Sequence, residues 1–233
     1  DTVAGGNGTD ILRLDAAATA VTAANVSGFE TLALDTAGLT QNIAGVFTAN
    51  TGFTTLDVNV AGAATFTNVS NTVTTLQNTV SGGTATLTRL VDGSTNALSI
   101  VGDDSTANAS DGVTTMTAVT AVNEETLTLT SGSNANEILT ITTLTVADLT
   151  TLNLTGTANV IVTNAIVGAT ALATVNASAL AGASTVNATN STVAMTMTGG
   201  TGVNTYTGGS NADTITGGAA ADVLTGGAGG DTI

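Results

Sequence analysis

Apolar residues alternate with Thr or Asn along most of the chain between residues 14 and 198. Such a period of two is typical of β-strands that bury one face. No proline interrupts these segments, so no ladder hydrogen bond is lost for want of an N–H group. Gly, Asn, Ser or Asp separate one segment from the next. The pattern predicts a succession of short strands, with the clearest segments at 31–35, 55–60, 84–90, 125–130, 152–155 and 194–198.

Both ends of the chain carry a glycine-rich pattern with a period of nine residues. Four consecutive copies occupy 199–207, 208–216, 217–225 and 226–233, the last incomplete, and a separate copy occupies 5–13. They follow G-G-x-G-x-D-x-U-x, where U is apolar, which is the nonapeptide of calcium-binding β-rolls in RTX proteins. Residues 1–4 match the end of a further copy. Asn211 and Ala220 replace the glycine of the fourth position, and Asn204 replaces the Asp with a weaker ligand.

The residue types of this pattern suit calcium. Glycine tolerates the positive φ of a tight loop that turns carbonyl groups inward, and Asp adds a hard anionic oxygen. The x-U-x end predicts a short strand whose U side chain is buried. If each nonapeptide forms half a coil, Asp213 shares one edge with Asp231, and Asn204 shares the other with Asp222. Gly and Asp also mark ordinary turns, but four copies in register and a separate fifth favour calcium loops.

We therefore predict calcium ligands in every copy of the nonapeptide, namely Asp1, Gly6, Gly8, Asp10, Gly200, Gly202, Asn204, Gly209, Asn211, Asp213, Gly218, Ala220, Asp222, Gly227, Gly229 and Asp231. A polar loop with Asp103, Asp104 and Asp111 is a second candidate calcium site, with a solvated turn as the alternative. An oxygen-rich group of Glu124, Glu125, Glu137, Asn134 and Asn136 is a third, with the same alternative. Glu30 suits either a calcium ligand or a turn cap.

Two all-β architectures fit strands at this spacing, a β-sandwich and a β-solenoid. The solenoid is favoured because nonapeptide rolls are themselves solenoids and because outward rows of Thr and Asn suit stacked ladders. We predict an all-β fold, a right-handed parallel β-solenoid or β-helix flanked by calcium-binding RTX β-roll turns. Its predicted parts are the end of one β-roll block at 1–13, a Thr/Ala-rich solenoid at 14–198 and a second β-roll block at 199–233.

The amino-acid composition excludes several classes of function. Aromatic residues make up 2% of the chain, so the core must be built from small aliphatic side chains. The net charge of −15, with Arg13 and Arg89 as the only Lys or Arg, excludes a nucleic-acid-binding surface and disfavours docking on anionic lipid. His and Cys are absent and no G-x-S-x-G element occurs, so we predict that the chain is not an enzyme. No apolar run reaches the roughly 18 residues of a membrane span.

The chain resembles RTX-type surface-layer proteins of Gram-negative bacteria, which are calcium-binding β-roll proteins. Besides the nonapeptides, the resemblance rests on a GFETL element within 26–32 and on the segments 147–156 and 175–180. It covers nearly the whole chain. The nonapeptides are specific for a calcium β-roll, whereas the Thr/Ala-rich stretches are less specific because biased composition raises similarity.

The resemblance implies a secreted, extracellular protein of the bacterial cell surface that is exported by a type I system. It also implies calcium-dependent self-assembly into a surface layer (S-layer) or matrix filament, so copies of the chain would be its main partners. Cell-surface polysaccharide would be bound through regions outside these residues. A repeat segment of a calcium-dependent RTX adhesin is the alternative function. Residues 1–4 and 231–233 match in nonapeptide phase, so we expect a longer parent protein in which this chain is one unit of a tandem array.

Overall fold

The structure is a computed structural model that describes residues 2–19, 23–102 and 113–233. Its strands follow one another along the chain as short segments separated by turns. In chain order they are β1 (Val3–Ala4), β2 (Ile11–Leu14), β3 (Val26–Ser27), β4 (Thr31–Leu34), β5 (Leu39–Asn42), β6 (Thr55–Val58), β7 (Ala63–Val69), β8 (Thr75–Asn78), β9 (Gly83–Arg89), β10 (Ala97–Val101), β11 (Thr114–Ala121), β12 (Thr126–Thr130), β13 (Leu139–Thr145), β14 (Thr151–Gly156), β15 (Val160–Val162), β16 (Thr174–Leu180), β17 (Ser184–Asn187), β18 (Thr196–Thr198), β19 (Asn204–Thr207), β20 (Thr214–Thr216) and β21 (Val223–Thr225). The strands predicted from the alternating pattern are confirmed, with ends that differ by one or two residues.

The strands form two long sheets and a two-stranded sheet of β1 and β3, and every pairing is parallel. One 10-stranded sheet contains the even-numbered strands from β2 to β20, and one 9-stranded sheet contains the odd-numbered strands from β5 to β21. Each coil of the chain therefore adds one strand to each sheet. This arrangement confirms the predicted parallel β-solenoid and shows that the sandwich alternative was wrong. The right-handed winding stays a prediction.

The first sheet is built on a recurring Thr-Leu dipeptide. Thr31, Thr55 and Thr75 pair with one another in register, and so do the leucines that follow them. A second column of apolar residues runs from Leu98 through Leu127 and Leu152 to Val175, Met197 and Ile215. These apolar side chains are buried, while Thr55 and Thr75 are half-buried. Stacking of like residues in each layer is what makes a narrow aliphatic core sufficient.

From β10 onward the coils become shorter toward the C-terminus. Hydrogen-bonded neighbours on adjacent coils are 29 residues apart at Asn96 and Glu125, and 24 apart at Asn159 and Ala183. From Met195 onward the separation is 18 residues, which is two nonapeptides. Both sheets continue across residue 199 without interruption. The short coils therefore extend the same solenoid, although the three-part division of the chain stays a prediction.

The ion pair of Arg89 and Glu124 lies inside the solenoid. Arg89 donates to both carboxylate oxygens of Glu124, at 2.6 and 3.0 Å, and its remaining N–H groups donate to the carbonyls of Ser70, Val73 and Ala97. Both charged side chains are almost fully buried. Because the guanidinium and the carboxylate are both hydrogen-bonded, the pair fixes the turn between β9 and β10 against the start of β12.

Candidate calcium sites

On one edge of the C-terminal coils, Asp213 and Asp231 stack one above the other. Asp213 is 2% exposed, and its two carboxylate oxygens accept hydrogen bonds from the backbone N–H groups of Met195 and Gly209, both at 2.8 Å. Asp231 accepts from the N–H of Asp213 at 2.9 Å, 18 residues earlier in the chain. This stacking confirms that nonapeptides two apart share an edge.

Asn204 and Asp222 share the opposite edge, as predicted. Asp222 Oδ1 accepts from the backbone N–H of Asn204 at 2.8 Å. The U residues of the pattern lie beneath the loops: Tyr206 and Ile215 are buried and Leu224 packs against the core. Burial raises the pKa of the Tyr206 phenol, which lies 2.7 Å from the Ser184 hydroxyl oxygen.

The loop glycines make room for carbonyl oxygens. Gly218, Gly227 and Gly229 have φ of 119°, 102° and 128°, the left-handed region that favours glycine. A Cβ at Gly227 would overlap the carbonyl oxygen of Gly209, and one at Gly208 would overlap that of Gly226 and approach the Asp213 carboxylate. The loops thus bring carbonyl and carboxylate oxygens together with no cationic side chain among them, a donor set that suits calcium.

Residues 198–233 match the RTX calcium-binding nonapeptide repeat family, in four copies. This repeat family binds calcium, so the pattern, the loop geometry and the family agree on the ligand. We refer to residues 199–233 as the RTX block. No curated protein is significantly similar to the chain.

The N-terminal nonapeptide lies outside that match but has the same local structure. Gly6 and Gly8 have φ of 103° and 124°. Glu30 Oε2 accepts from the backbone N–H of Asp10 at 2.8 Å, just as Asp231 accepts from Asp213. Asp10 Oδ2 is buried and has no hydrogen-bond partner. A buried carboxylate oxygen without a hydrogen-bond partner suits coordination of a cation, so these residues can hold calcium.

Among the other predicted ligands, some face the loops only through a backbone carbonyl, and others lie outside the described residues. The Asn211 side chain is exposed and donates to the Thr192 carbonyl, so only its backbone carbonyl faces the loops. Gly200 and Gly202 place their carbonyls beside Asn204. Ala220 is half-buried in the corresponding loop. Asp1, Asp103, Asp104 and Asp111 lie outside the described residues.

The predicted group of Glu124, Glu125 and Glu137 does not converge. Glu124 is bound to Arg89, and burial raises its pKa against the lowering effect of that arginine. Glu137 accepts instead from the backbone and side chain of Asn134, at 3.0 and 2.6 Å. These residues are close in sequence but not in space, because successive strands of a coil belong to different sheets.

Glu125 lies in a different group, with Asp92 and Asp148. Their carboxylate oxygens all lie within 4.8 Å of one another, on loops of three successive coils. Sequence reasoning missed this group because only the stacking of coils of unequal length brings the three residues together. Exposed acidic groups are common without an ion, and the group is assigned no role.

Within the described residues, no helix is long and apolar enough to cross a membrane.

Proposed function

We propose that this chain is a calcium-stabilised structural segment of a secreted bacterial surface-layer protein whose copies assemble through calcium into a layer or filament. The observation that carries the proposal is the RTX block, which continues an unbroken solenoid with calcium-binding loops. The role is structural rather than catalytic, and the site of action is the outside of the cell.

Under this proposal the described residues hold two calcium sites. One lies between the loops of Asp213 and Asp231, with the backbone carbonyls of Gly209, Asn211 and Gly226 nearby. The other lies at the N-terminal nonapeptide, with Asp10 and Glu30 as its acidic residues. A bound calcium ion would hold successive loops together through its divalent charge. Disulfides have this stabilising role in many secreted proteins.

The charge distribution supports association through calcium. Both arginines are already engaged: Arg13 contacts Asp35 at 3.2 Å, and Arg89 contacts Glu124 at 2.6 Å. Copies with a net charge of −15 repel one another and have no free Lys or Arg for salt bridges between chains. Bound calcium lowers that charge and can bridge carboxylates of neighbouring copies. Both effects favour assembly.

Static light scattering followed by electron microscopy across a calcium titration tests this function. We expect scattering to rise with calcium and micrographs to show ordered sheets or filaments. Magnesium at equal concentration is the control, because it dehydrates reluctantly and fits flexible oxygen sites poorly. A chain that folds with calcium but stays monomeric at high concentration would refute the assembly. Calcium-dependent binding to a receptor would then favour the adhesin alternative.

A further inference from the structure

One side-chain amide in the RTX block points into a cage of oxygen atoms. Asn204 is fully buried, and its Nδ2 lies 2.6 Å from the carbonyl oxygen of Gly217, 2.8 Å from that of Gly202 and 3.0 Å from Asp222 Oδ1. The carbonyl oxygen of Gly200 is 3.5 Å away. Four oxygens from two successive loops therefore surround one nitrogen atom.

The orientation of this amide is fixed by its neighbours. Its Oδ1 accepts from the backbone N–H of Gly200 at 3.3 Å, and from the Ser184 hydroxyl at 2.6 Å. A backbone N–H can only donate and a carbonyl can only accept, so a reversed amide would set its NH₂ group against the N–H of Gly200 and its oxygen against the carbonyl oxygens of the cage. The nitrogen must face the cage.

We infer that the edge closed by Asn204 takes no calcium ion, because the amide nitrogen of Asn204 occupies the position of the cation between the two loops. The inference rests on the proposed calcium binding by the RTX block. Calcium needs oxygens at about 2.3–2.6 Å from its centre, and a nitrogen already held at hydrogen-bond distance from the same oxygens excludes it. The N–H groups instead satisfy carbonyls that would otherwise be buried and unpaired.

The position of Asn204 in the solenoid explains why an amide occurs there. Val160, Ser184 and Asn204 pair in turn on this edge, and Asp222 follows on the next coil. The residue at this position thus changes from apolar to hydroxyl, to amide, to carboxylate as the solenoid passes into the RTX block. Asn204 closes the first loop of the block against coils whose corresponding side chains are not acidic. Calcium dependence then begins at the edge of Asp213 and Asp231.

Replacement of the amide by a carboxylate tests the inference. In Asn204→Asp, a second carboxylate faces the three carbonyls and Asp222, so the cage becomes a calcium site. We expect this variant to bind one more calcium ion per chain than the wild type, counted by equilibrium dialysis with atomic absorption. Its melting temperature should fall in EDTA and recover in calcium.

Asn176→Asp is the matched control. Asn176 is exposed on β16, and its side-chain oxygen accepts from the N–H and the hydroxyl of Ser178, which a carboxylate can also do. This variant has the same charge change and should bind as many ions as the wild type. An Asn204→Asp chain that binds no additional ion would overturn the inference. A wild-type chain that binds no calcium at all would instead contradict the proposed function.

A measurement on the wild type avoids any failure of the variant to fold. The side-chain NH₂ resonances of Asn204, followed by ¹⁵N NMR through a calcium titration, should keep their shifts and their slow hydrogen exchange at saturation. Displacement of the amide by calcium would move these resonances and expose the protons to exchange, and that outcome would also overturn the inference.

Discussion

Buried carboxylates in this protein differ in what compensates their charge. Glu124 has the guanidinium of Arg89, whereas Asp213 accepts only from backbone N–H groups and Asp57 accepts from the Thr79 hydroxyl at 2.9 Å. The carboxylate of Asp213 lies beside loop carbonyls that suit a cation, and that of Asp57 lies on a strand in the middle of the solenoid. We therefore expect the first to stabilise the fold through calcium and the second to destabilise it at neutral pH.

Removal of the Asp213 carboxylate should weaken calcium binding. We expect Asp213→Ala to raise the calcium midpoint of folding by on the order of tenfold, about 1.4 kcal/mol, because a hard ligand and two hydrogen bonds are lost. Thr214→Ala, which removes the exposed neighbouring side chain, should leave the midpoint unchanged. Circular dichroism at each calcium concentration measures it. Equal shifts in both variants would mean that Asp213 acts only as a turn former.

Asp57 should make stability depend on pH. It is 2% exposed, and burial raises its pKa from 3.8 to about 6. Between these values the folded chain binds the proton more tightly than the unfolded chain, so the free energy of unfolding falls as the pH rises through about 6. We expect Asp57→Asn to remove this fall and to stabilise the chain at pH 7.5 by roughly 1–3 kcal/mol.

Urea unfolding at pH 5 and pH 7.5, at constant calcium concentration, checks this expectation. Asp15→Asn is the control, because Asp15 is exposed. If Asp57→Asn and the wild type lose the same stability between the two pH values, the buried carboxylate is not the cause.

At the scale of the strand, stability comes from columns of like residues stacked through successive coils. Leu34, Val58 and Asn78 form one such column, and all three are fully buried. Neither polar atom of the Asn78 side chain has a hydrogen-bond partner. An amide buried without partners costs about 1–3 kcal/mol, so the apolar column is weakened at this coil.

An apolar residue at position 78 should therefore stabilise the solenoid. We expect Asn78→Val to raise the free energy of unfolding by about 1–3 kcal/mol. Valine packs on Val58 as an apolar residue of the same column, and the unpaired amide is removed. Thr196→Val, at an exposed position of the same sheet, should change it by less than about 0.5 kcal/mol. Urea unfolding of both variants measures the difference, and a destabilised Asn78→Val would show that the amide is satisfied after all.

The strands and their inward faces could be predicted from sequence because alternation is a local property. The Thr-Leu dipeptides at 31, 55, 126 and 151 coincide with the starts of β4, β6, β12 and β14. In the RTX block even the stacking could be predicted, since a fixed period of nine places Asp213 over Asp231.

Contacts between coils of unequal length could not be predicted in this way. Arg89 meets Glu124 across 35 residues, and Asp92 joins Glu125 and Asp148 at intervals that match no repeat. These contacts depend on the length of each intervening turn, which carries no periodic signal. The sequence identifies Asn204 only as a weaker calcium ligand, because the direction of its side-chain hydrogen bonds is set by the folded loops.

At the scale of the molecule, two sources of stability meet in one continuous solenoid. The coils between β4 and β17 bury Leu, Val and Ile side chains in successive layers and need no ion for that burial. The short coils of the RTX block bury fewer apolar side chains, chiefly Tyr206 and Ile215, and their glycine loops lose more conformational entropy on folding. We therefore expect calcium to contribute most to stability where the apolar core is smallest.

Removal of calcium should therefore unfold the RTX block before it unfolds the coils of residues 114–198. We expect hydrogen exchange in EDTA to become fast in residues 208–233 and to stay slow in residues 114–198, with Asn204 near the boundary because its amide closes the first loop without an ion. Hydrogen exchange measured by mass spectrometry with and without calcium resolves these segments. Adding calcium back to the EDTA-treated protein should restore slow exchange in residues 208–233. Solenoid coils unfold from their ends, since each contacts only its neighbours. A loss of protection spread evenly over all coils would mean instead that calcium governs the folding of the entire solenoid, including the coils of residues 114–198.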